Sequence, residues 1–205
     1  MKPTLPFATL SLVIAALAIH CVPGSSERLQ FDRAAIQHGE AWRWLSGHLT
    51  HFEGNHLTWD VGVLLLLGSA AERQNRQRFI RTILVSATAI SAAVWWWQPQ
   101  FQQYRGLSGI DSALFGLLAG ALLRRRQLVS SIVASLALLA IGFKSALELA
   151  TGSTVFATAA SYAPVPLAHL VGLAIGLAMA FTGDKRSIPL ATSTKPARQI
   201  TAAFP

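Results

Sequence analysis

Cysteine and charge are both scarce in this sequence. Cys21 is the single cysteine among 205 residues, which excludes a disulfide framework and a zinc site built on cysteine pairs. Asp, Glu, Lys and Arg make up only 13% of the chain, whereas an average soluble domain has about a quarter. The chain therefore lacks the composition of a soluble globular protein.

Acidic residues are especially few, and the formal net charge is +8. The basic residues nevertheless fall in short clusters between apolar runs, and no surface stripe mixes basic with aromatic residues, so nucleic acid is excluded as a partner. With a mean hydropathy of +0.44, the long uncharged runs indicate a multi-pass protein of the lipid bilayer.

Six apolar runs approach the length of about 20 residues that a helix needs to cross a bilayer. The first could instead be a signal peptide, but Ala18-Ile19-His20 would make a poor cleavage site. We expect an all-α membrane protein with one domain over 1–183, a disordered cytoplasmic tail over 184–205 and six spans at roughly 4–22, 56–71, 79–97, 107–123, 128–150 and 163–182.

Lysine and arginine predict the orientation of these spans. With a cytoplasmic N-terminus, twelve basic residues lie inside, four lie outside and Lys144 lies within a span. Both termini are then cytoplasmic, and the stretch 23–55 becomes a long outer loop. The protein is expected in a bacterial inner membrane, with its site facing the periplasm or outside.

Ionisable residues within spans are costly and are functional candidates. At about 1.5 Å per residue, several polar residues would share one level in the outer half of the bilayer. They are His56 and Asp60 in span two, Ser108 in span four and His169 in span six, whereas Asp111 lies one turn below Ser108. Lys144 and Glu148 in span five are one turn apart, which predicts a structural ion pair.

Small residues recur at a spacing of four along spans four and six. Gly116 and Gly120 lie below Ser108, and Gly172 and Gly176 lie below His169. Such stripes let helix backbones approach closely in lipid, so they predict that Ser108 lies beside His169. A histidine can accept the proton of a serine hydroxyl during nucleophilic attack.

An acyl-transfer site also needs donors for its oxyanion. The start of the span-four helix offers free backbone N–H groups around Leu107, and Gly106 and Gly109 leave them uncovered. His56 could supply a side-chain donor. The chemistry predicted here requires neither a metal nor a cofactor.

Three segments resemble the rhomboid intramembrane serine proteases. They are GLSG at 106–109, AHLVGLAIG at 168–176 and EAWRWLSGHLTHFEGNHLTWD at 40–60. Together they cover roughly 40–182 in the order that the family has. The resemblance implies a six-helix bundle that cleaves transmembrane helices of membrane proteins, with YRGLSGIDSALFG closest to the rhombosortase branch, thought to act on C-terminal Gly-Gly signals.

The resemblance also implies roles for individual residues. Ser108 would be the nucleophile and His169 the general base, with His56 stabilising the oxyanion. In the outer loop, Trp42 and Arg43 match an organising motif, and His48 and His51 match histidines of structural role.

Two aspartates depart from the family pattern. Asp60 stands where the family usually has asparagine, and a carboxylate would repel an oxyanion. It could donate if protonated, or it could orient His51 or His56. A further hypothesis is that Asp60 and Asp111 share a proton or a water network behind the Ser–His pair.

Other interpretations remain open. His48, His51 and His56 with Glu53 could form a metal site, although their spacing is not that of HExxH. The chain could be an inactive rhomboid relative that binds membrane clients. A transporter or channel is disfavoured, because the inner halves of spans two, four and six are nearly all apolar.

Overall fold

A computed structural model describes residues 5–152 and 165–182. Nearly all of the described chain is helical. The expected tail at 184–205, the first residue of span one and the first two residues of span six lie outside the described residues.

Six helical segments correspond to the six apolar runs. The segment for span two is continuous from 54 to 74 but contains a π-helical turn at Leu64–Gly68 between two α-helices. The segments are α1 (Phe7–Cys21), α5 (Gly54–Val63) with α6 (Ser69–Gln74), α7 (Arg76–Trp97), α8 (Ser108–Arg124), α9 (Leu128–Thr151) and α10 (Pro166–Phe181).

Local sequence explains where several of these helices begin and end. The Asn75 side chain accepts a hydrogen bond from the Arg78 N–H and caps the start of α7. Pro166 opens α10, where its missing N–H costs nothing. Gly152 ends α9 in the left-handed conformation.

Within the described ranges, the two helices α7 and α9 are long and apolar enough to cross a membrane. The helices α1 and α10 are apolar but shorter. Much of the apolar surface is exposed, above all on α9, where Leu128, Val129, Leu136, Leu139 and Phe143 point away from the protein. A helical bundle with this exterior is suited to lipid rather than water.

The stretch 23–55, which is the predicted outer loop, is folded rather than extended. It contains α2 (Ser25–Leu29), α3 (Arg33–Gln37), α4 (Arg43–Ser46) and a 3₁₀ turn at Gly47–Leu49. Its two-residue strand β1 (Phe31–Asp32) pairs antiparallel with β2 (Gln103–Tyr104). The loop is thereby attached to the segment that leads into α8.

Glu72 holds α1 against the rest of the bundle. Its buried carboxylate accepts the backbone N–H groups of Ala8 and Thr9 at 3.0 and 2.8 Å, and the Thr9 hydroxyl at 2.9 Å. These N–H groups lie in the first turn of α1 and have no partner within that helix. Gly68 allows this approach, since a Cβ there would lie 2.9 Å from the Thr9 methyl carbon.

Candidate active site

Ser108 and His169 lie beside each other at the starts of two neighbouring helices. Ser108 is the first residue of α8, and His169 lies in the first turn of α10. The His169 Nε2 atom is 3.0 Å from the Ser108 Oγ atom. Both residues are only half-buried, so a reactant can reach them.

Glycines bring α8 and α10 into backbone contact. A Cβ at Gly172 would lie 2.0 Å from the Gly109 carbonyl oxygen, and one at Gly176 would lie 1.8 Å from that of Ala113. On the other helix, a Cβ at Gly116 would lie 2.5 Å from the Leu173 carbonyl oxygen. The two stripes thus face each other, and a side chain at these positions would force the helices apart.

Gly120 continues the same contact toward the other end of the helices. A Cβ there would lie 2.5 Å from the Cβ of Ala180. The close approach therefore extends along the bundle rather than being confined to the Ser–His pair.

Gly106 shapes the turn before the serine. Its φ of +123° favours glycine, and a Cβ there would lie 2.9 Å from the Nε2 atom of His56. Its N–H points at the carbonyl oxygen of Gly47 at 3.4 Å, and its own carbonyl accepts the Tyr104 hydroxyl at 3.3 Å. The turn is therefore fixed by the outer loop, by β2 and by His56.

The Asp60 carboxylate is the centre of a buried polar cluster. Its Oδ2 atom accepts the Leu107 N–H at 2.8 Å and lies 3.1 Å from His51 Nε2 and 3.3 Å from His56 Nε2. Asp60 thus contacts both histidines that the sequence offered as its partners. At Leu107 the backbone N–H is not free, because Asp60 accepts it.

Asp111 is buried one turn along α8 from Ser108. Its Oδ1 atom has no hydrogen-bond partner among residues 5–152 and 165–182. Within those residues no hydrogen bond joins it to Asp60, whose contacts are with the two histidines and Leu107. This arrangement therefore does not provide a proton shared directly between Asp60 and Asp111.

Arg43 organises the outer loop through backbone carbonyls. Its guanidinium donates to the carbonyl oxygens of Glu27 and Gln30, both at 3.0 Å, and to the Glu40 carboxylate at 2.7 Å. The adjacent Trp42 has a 56% exposed side chain and takes no part in this packing. Trp44 packs instead, edge-on to Phe31 and tilted against Trp95.

His48 connects the loop to α7. Its Nε2 atom lies 3.0 Å from the Ala87 carbonyl oxygen and 3.1 Å from the Ser91 hydroxyl. Because a carbonyl oxygen only accepts, this nitrogen carries a proton and donates it. Burial lowers the pKa of His48 to about 4, which keeps the ring neutral near pH 7.

The histidines do not converge on one metal position. His48 points toward α7, whereas His51 and His56 point at Asp60. In the described part of the chain, no three His, Cys, Asp or Glu side chains are grouped to hold an ion.

Arg105, which is one of the four basic residues predicted to lie outside, is also near the site. Its guanidinium donates to the His51 carbonyl at 3.2 Å, to Gln30 at 2.7 Å and to Glu27 at 3.2 Å. Its position directly before GLSG is the sequence feature that could have indicated a role near Ser108. Arg105 ties the histidine segment to the turn that precedes Ser108.

Lys144 and Glu148 form the expected pair on α9, with the Lys144 Nζ atom 2.8 Å from a Glu148 oxygen. Glu148 is buried and Lys144 is partly exposed. The pair satisfies two charges on an otherwise apolar helix.

Apolar helices around a hydrogen-bonded serine and histidine define a helical membrane protein with a site of the serine-protease type. Residues 38–186 match the family model of the rhomboid domain, and the chain belongs to the rhomboid family. This family is one of intramembrane serine proteases, whose substrates are membrane proteins. A search of the curated proteins finds no match.

Proposed function

We propose that this protein is an intramembrane serine endopeptidase with Ser108 as nucleophile and His169 as general base. The observation that carries the proposal is the 3.0 Å contact between Ser108 Oγ and His169 Nε2. A serine hydroxyl is unreactive at neutral pH unless a base accepts its proton during attack. An inactive relative would have no need of this alignment.

The reaction follows from these two side chains. Ser108 Oγ attacks the carbonyl carbon of the scissile bond while its proton passes to His169 Nε2. The tetrahedral intermediate collapses, the C–N bond breaks, and the amine leaves with the proton from His169. Water then repeats the sequence on the acyl-enzyme and releases the new carboxyl end.

Oxyanion stabilisation is assigned to His56 and the backbone at the start of α8. The His56 ring adjoins Gly106, two residues before Ser108. Leu107 and Gly109 flank the serine and set the course of the backbone there. Because the Leu107 N–H is bound to Asp60, the proposed donors are the His56 side chain and the backbone N–H groups that follow Leu107. They act on charge that develops only during the reaction.

The substrates proposed are transmembrane segments cut near the outer face of a bacterial inner membrane. Six spans with both termini in the cytoplasm would put Ser108 in the outer half of the bilayer. Within the family we propose the rhombosortase branch, with C-terminal Gly-Gly signals, on the likeness of YRGLSGIDSALFG at 104–116.

Labelling of the purified protein by a fluorophosphonate probe tests the activity, since such probes bond to a serine activated by a base. We expect labelling of the wild type and none of Ser108→Ala or His169→Ala. Ser112→Ala is the matched control, because Ser112 lies one turn further on the same helix, is also half-buried and donates to the Ser108 carbonyl. A folded wild type that does not label would favour the client-binding alternative.

Cysteine labelling tests the orientation independently. In a Cys21→Ser background, Gln37→Cys places a thiol in the exposed outer loop and Gln127→Cys places one in the exposed turn between α8 and α9. A membrane-impermeant maleimide applied to intact cells should modify only the first. The Gly-Gly specificity is tested by replacing that pair with Ala-Ala in a tagged candidate substrate and comparing cleavage.

A further inference from the structure

One carboxylate oxygen next to the Ser–His pair carries three contacts. Asp60 Oδ2 accepts the Leu107 N–H and meets the Nε2 atoms of His51 and His56. The His51 side chain has no exposed surface, and that of Asp60 is 9% exposed. His51 and Asp60 therefore face each other inside the protein, where charges are poorly screened.

A charged Asp60 conflicts with the proposed reaction. An oxyanion forming on the carbonyl held by Ser108 would develop close to a carboxylate that already binds the Leu107 N–H. Two like charges close together in a low-dielectric site raise the energy of the transition state. The carboxylate also competes with the oxyanion for the His56 N–H. An active site with this residue needs one more proton near Asp60.

We propose that His51 and Asp60 form a neutral pair that holds one proton, so that the His56 N–H and the start of α8 can stabilise the oxyanion. His51 is then a positioning residue of the reaction, beyond the structural role of a loop histidine. This inference rests on the proposed function. It identifies the His51–Asp60 pair as the feature that allows the proposed active site to stabilise an oxyanion.

Other titratable and charged groups around the pair do not replace His51. The Arg105 guanidinium is directed to the His51 carbonyl, Gln30 and Glu27, on the loop side. Burial raises the pKa of Tyr104, which keeps this phenol neutral. Asp111 adds a further carboxyl group to the neighbourhood, and His56 is the donor that the oxyanion requires. Among residues 5–152 and 165–182, His51 is the remaining group in contact with Asp60 that can balance its charge.

A double-mutant cycle tests the pair through the rate of fluorophosphonate labelling at pH 7. His51→Gln keeps a side-chain N–H donor but cannot hold the extra proton. Asp60→Asn removes the negative charge that this proton would balance. We expect His51→Gln to lower the rate at least tenfold in the wild-type background. In the Asp60→Asn background the same change should cost less than twofold.

His48→Gln is the matched control. His48 is an equally buried histidine of the same loop, but it binds α7 rather than Asp60. Its replacement should change the rate by the same factor in both backgrounds. Equal losses for His51→Gln in both backgrounds would overturn the inference, because a structural role is not relieved by Asp60→Asn.

The pH profile gives a second readout that does not require a folded His51 variant. The labelling rate of the wild type should decrease at high pH as the pair loses its proton. The labelling rate of Asp60→Asn should not show this decrease. Identical profiles would overturn the inference while leaving Ser108-dependent labelling, and thus the proposed function, in place. Absence of Ser108-dependent labelling in every variant would overturn both.

Discussion

Replacing Gly172 by alanine would insert a methyl group between the two helices that carry Ser108 and His169. The new Cβ would lie 2.0 Å from the Gly109 carbonyl oxygen, whereas ordinary contacts begin at 3.4 Å, so the backbones must separate by about 1.4 Å. Gly172 is one turn from His169, and Gly109 adjoins Ser108. The separation therefore falls directly on the hydrogen bond of 3.0 Å between them.

The expected losses are in both activity and stability. A displacement of about 1 Å at a catalytic group can cost on the order of 10²-fold in rate, so Gly172→Ala should label with fluorophosphonate about a hundred times more slowly. Forcing an extra carbon into a packed interface costs about 1–3 kcal/mol, which a lower unfolding temperature in detergent would report.

Gly142→Ala is the control for this prediction. Gly142 lies on α9 and faces Leu173 of α10. A Cβ at Gly142 would lie 3.9 Å from the nearest atom of the Leu173 side chain, which is an ordinary contact distance. Alanine should fit there and stabilise the helix by up to about 1 kcal/mol. If Gly172→Ala labels at the wild-type rate, the glycine contact does not set the geometry of the Ser–His pair.

Three further predictions concern stability in detergent. Glu72→Gln should lower the unfolding free energy by about 2 kcal/mol, because hydrogen bonds to a charged acceptor are lost at the start of α1, whereas the exposed neighbour in Arg73→Gln should have little effect. Arg43→Lys should cost a similar amount, since a single ammonium nitrogen cannot replace both the Nη1 atom that binds the two loop carbonyls and the Nε atom that binds Glu40, and Arg28→Lys should not. His48 has a pKa of about 4 when folded against 6.5 in the unfolded chain; between these values only the unfolded chain gains the proton, so stability should fall by about 3 kcal/mol as the pH drops from 6.5 to 4.

Each of these predictions has an outcome that contradicts it. Equal melting temperatures for Glu72→Gln and the wild type would mean that α1 is held by apolar packing alone. A stable Arg43→Lys variant would show that the loop carbonyls are satisfied in another way. If the acid-induced loss of stability is the same in His48→Gln as in the wild type, a group other than His48 is responsible.

Local signals in the sequence account for some of the helix ends. Pro166 at the start of α10 and Gly152 at the end of α9 are such signals. The π-helical turn at Leu64–Gly68 had no such signal, since LLLL is equally compatible with an uninterrupted α-helix. It occurs where Gly68 meets Thr9, a contact between distant parts of the chain that local patterns do not encode.

The neighbours of Ser108 were partly predictable for the same reason. The spacing of Gly172 and Gly176 predicts which face of α10 packs against another helix, because repeated small residues allow close helix contact on that face. The partner of Leu107 could not be inferred, since an N–H at a helix start is free unless a distant acceptor reaches it. Asp60, 47 residues away, is that acceptor.

The choice between Trp42 and Trp44 also required the structure. Both lie in the motif AWRW, and only the course of the loop decides which ring faces inward. The pairing of β1 with β2 brings Phe31 next to Trp44 and leaves Trp42 outside.

The strand pair β1–β2 also determines where this protein can be tagged. Residues 33–102 connect β1 to β2, so the pairing of these strands brings the two ends of this segment together. Strand β2 ends at Tyr104, four residues before Ser108. An insertion between β2 and α8 would pass directly into the turn at Gly106. Gly39, at an exposed turn with open space around it, lies outside the strand pair and far along the chain from the turn at Gly106. An epitope inserted there would extend outward and leave the spacing between the strand pair and the serine unchanged.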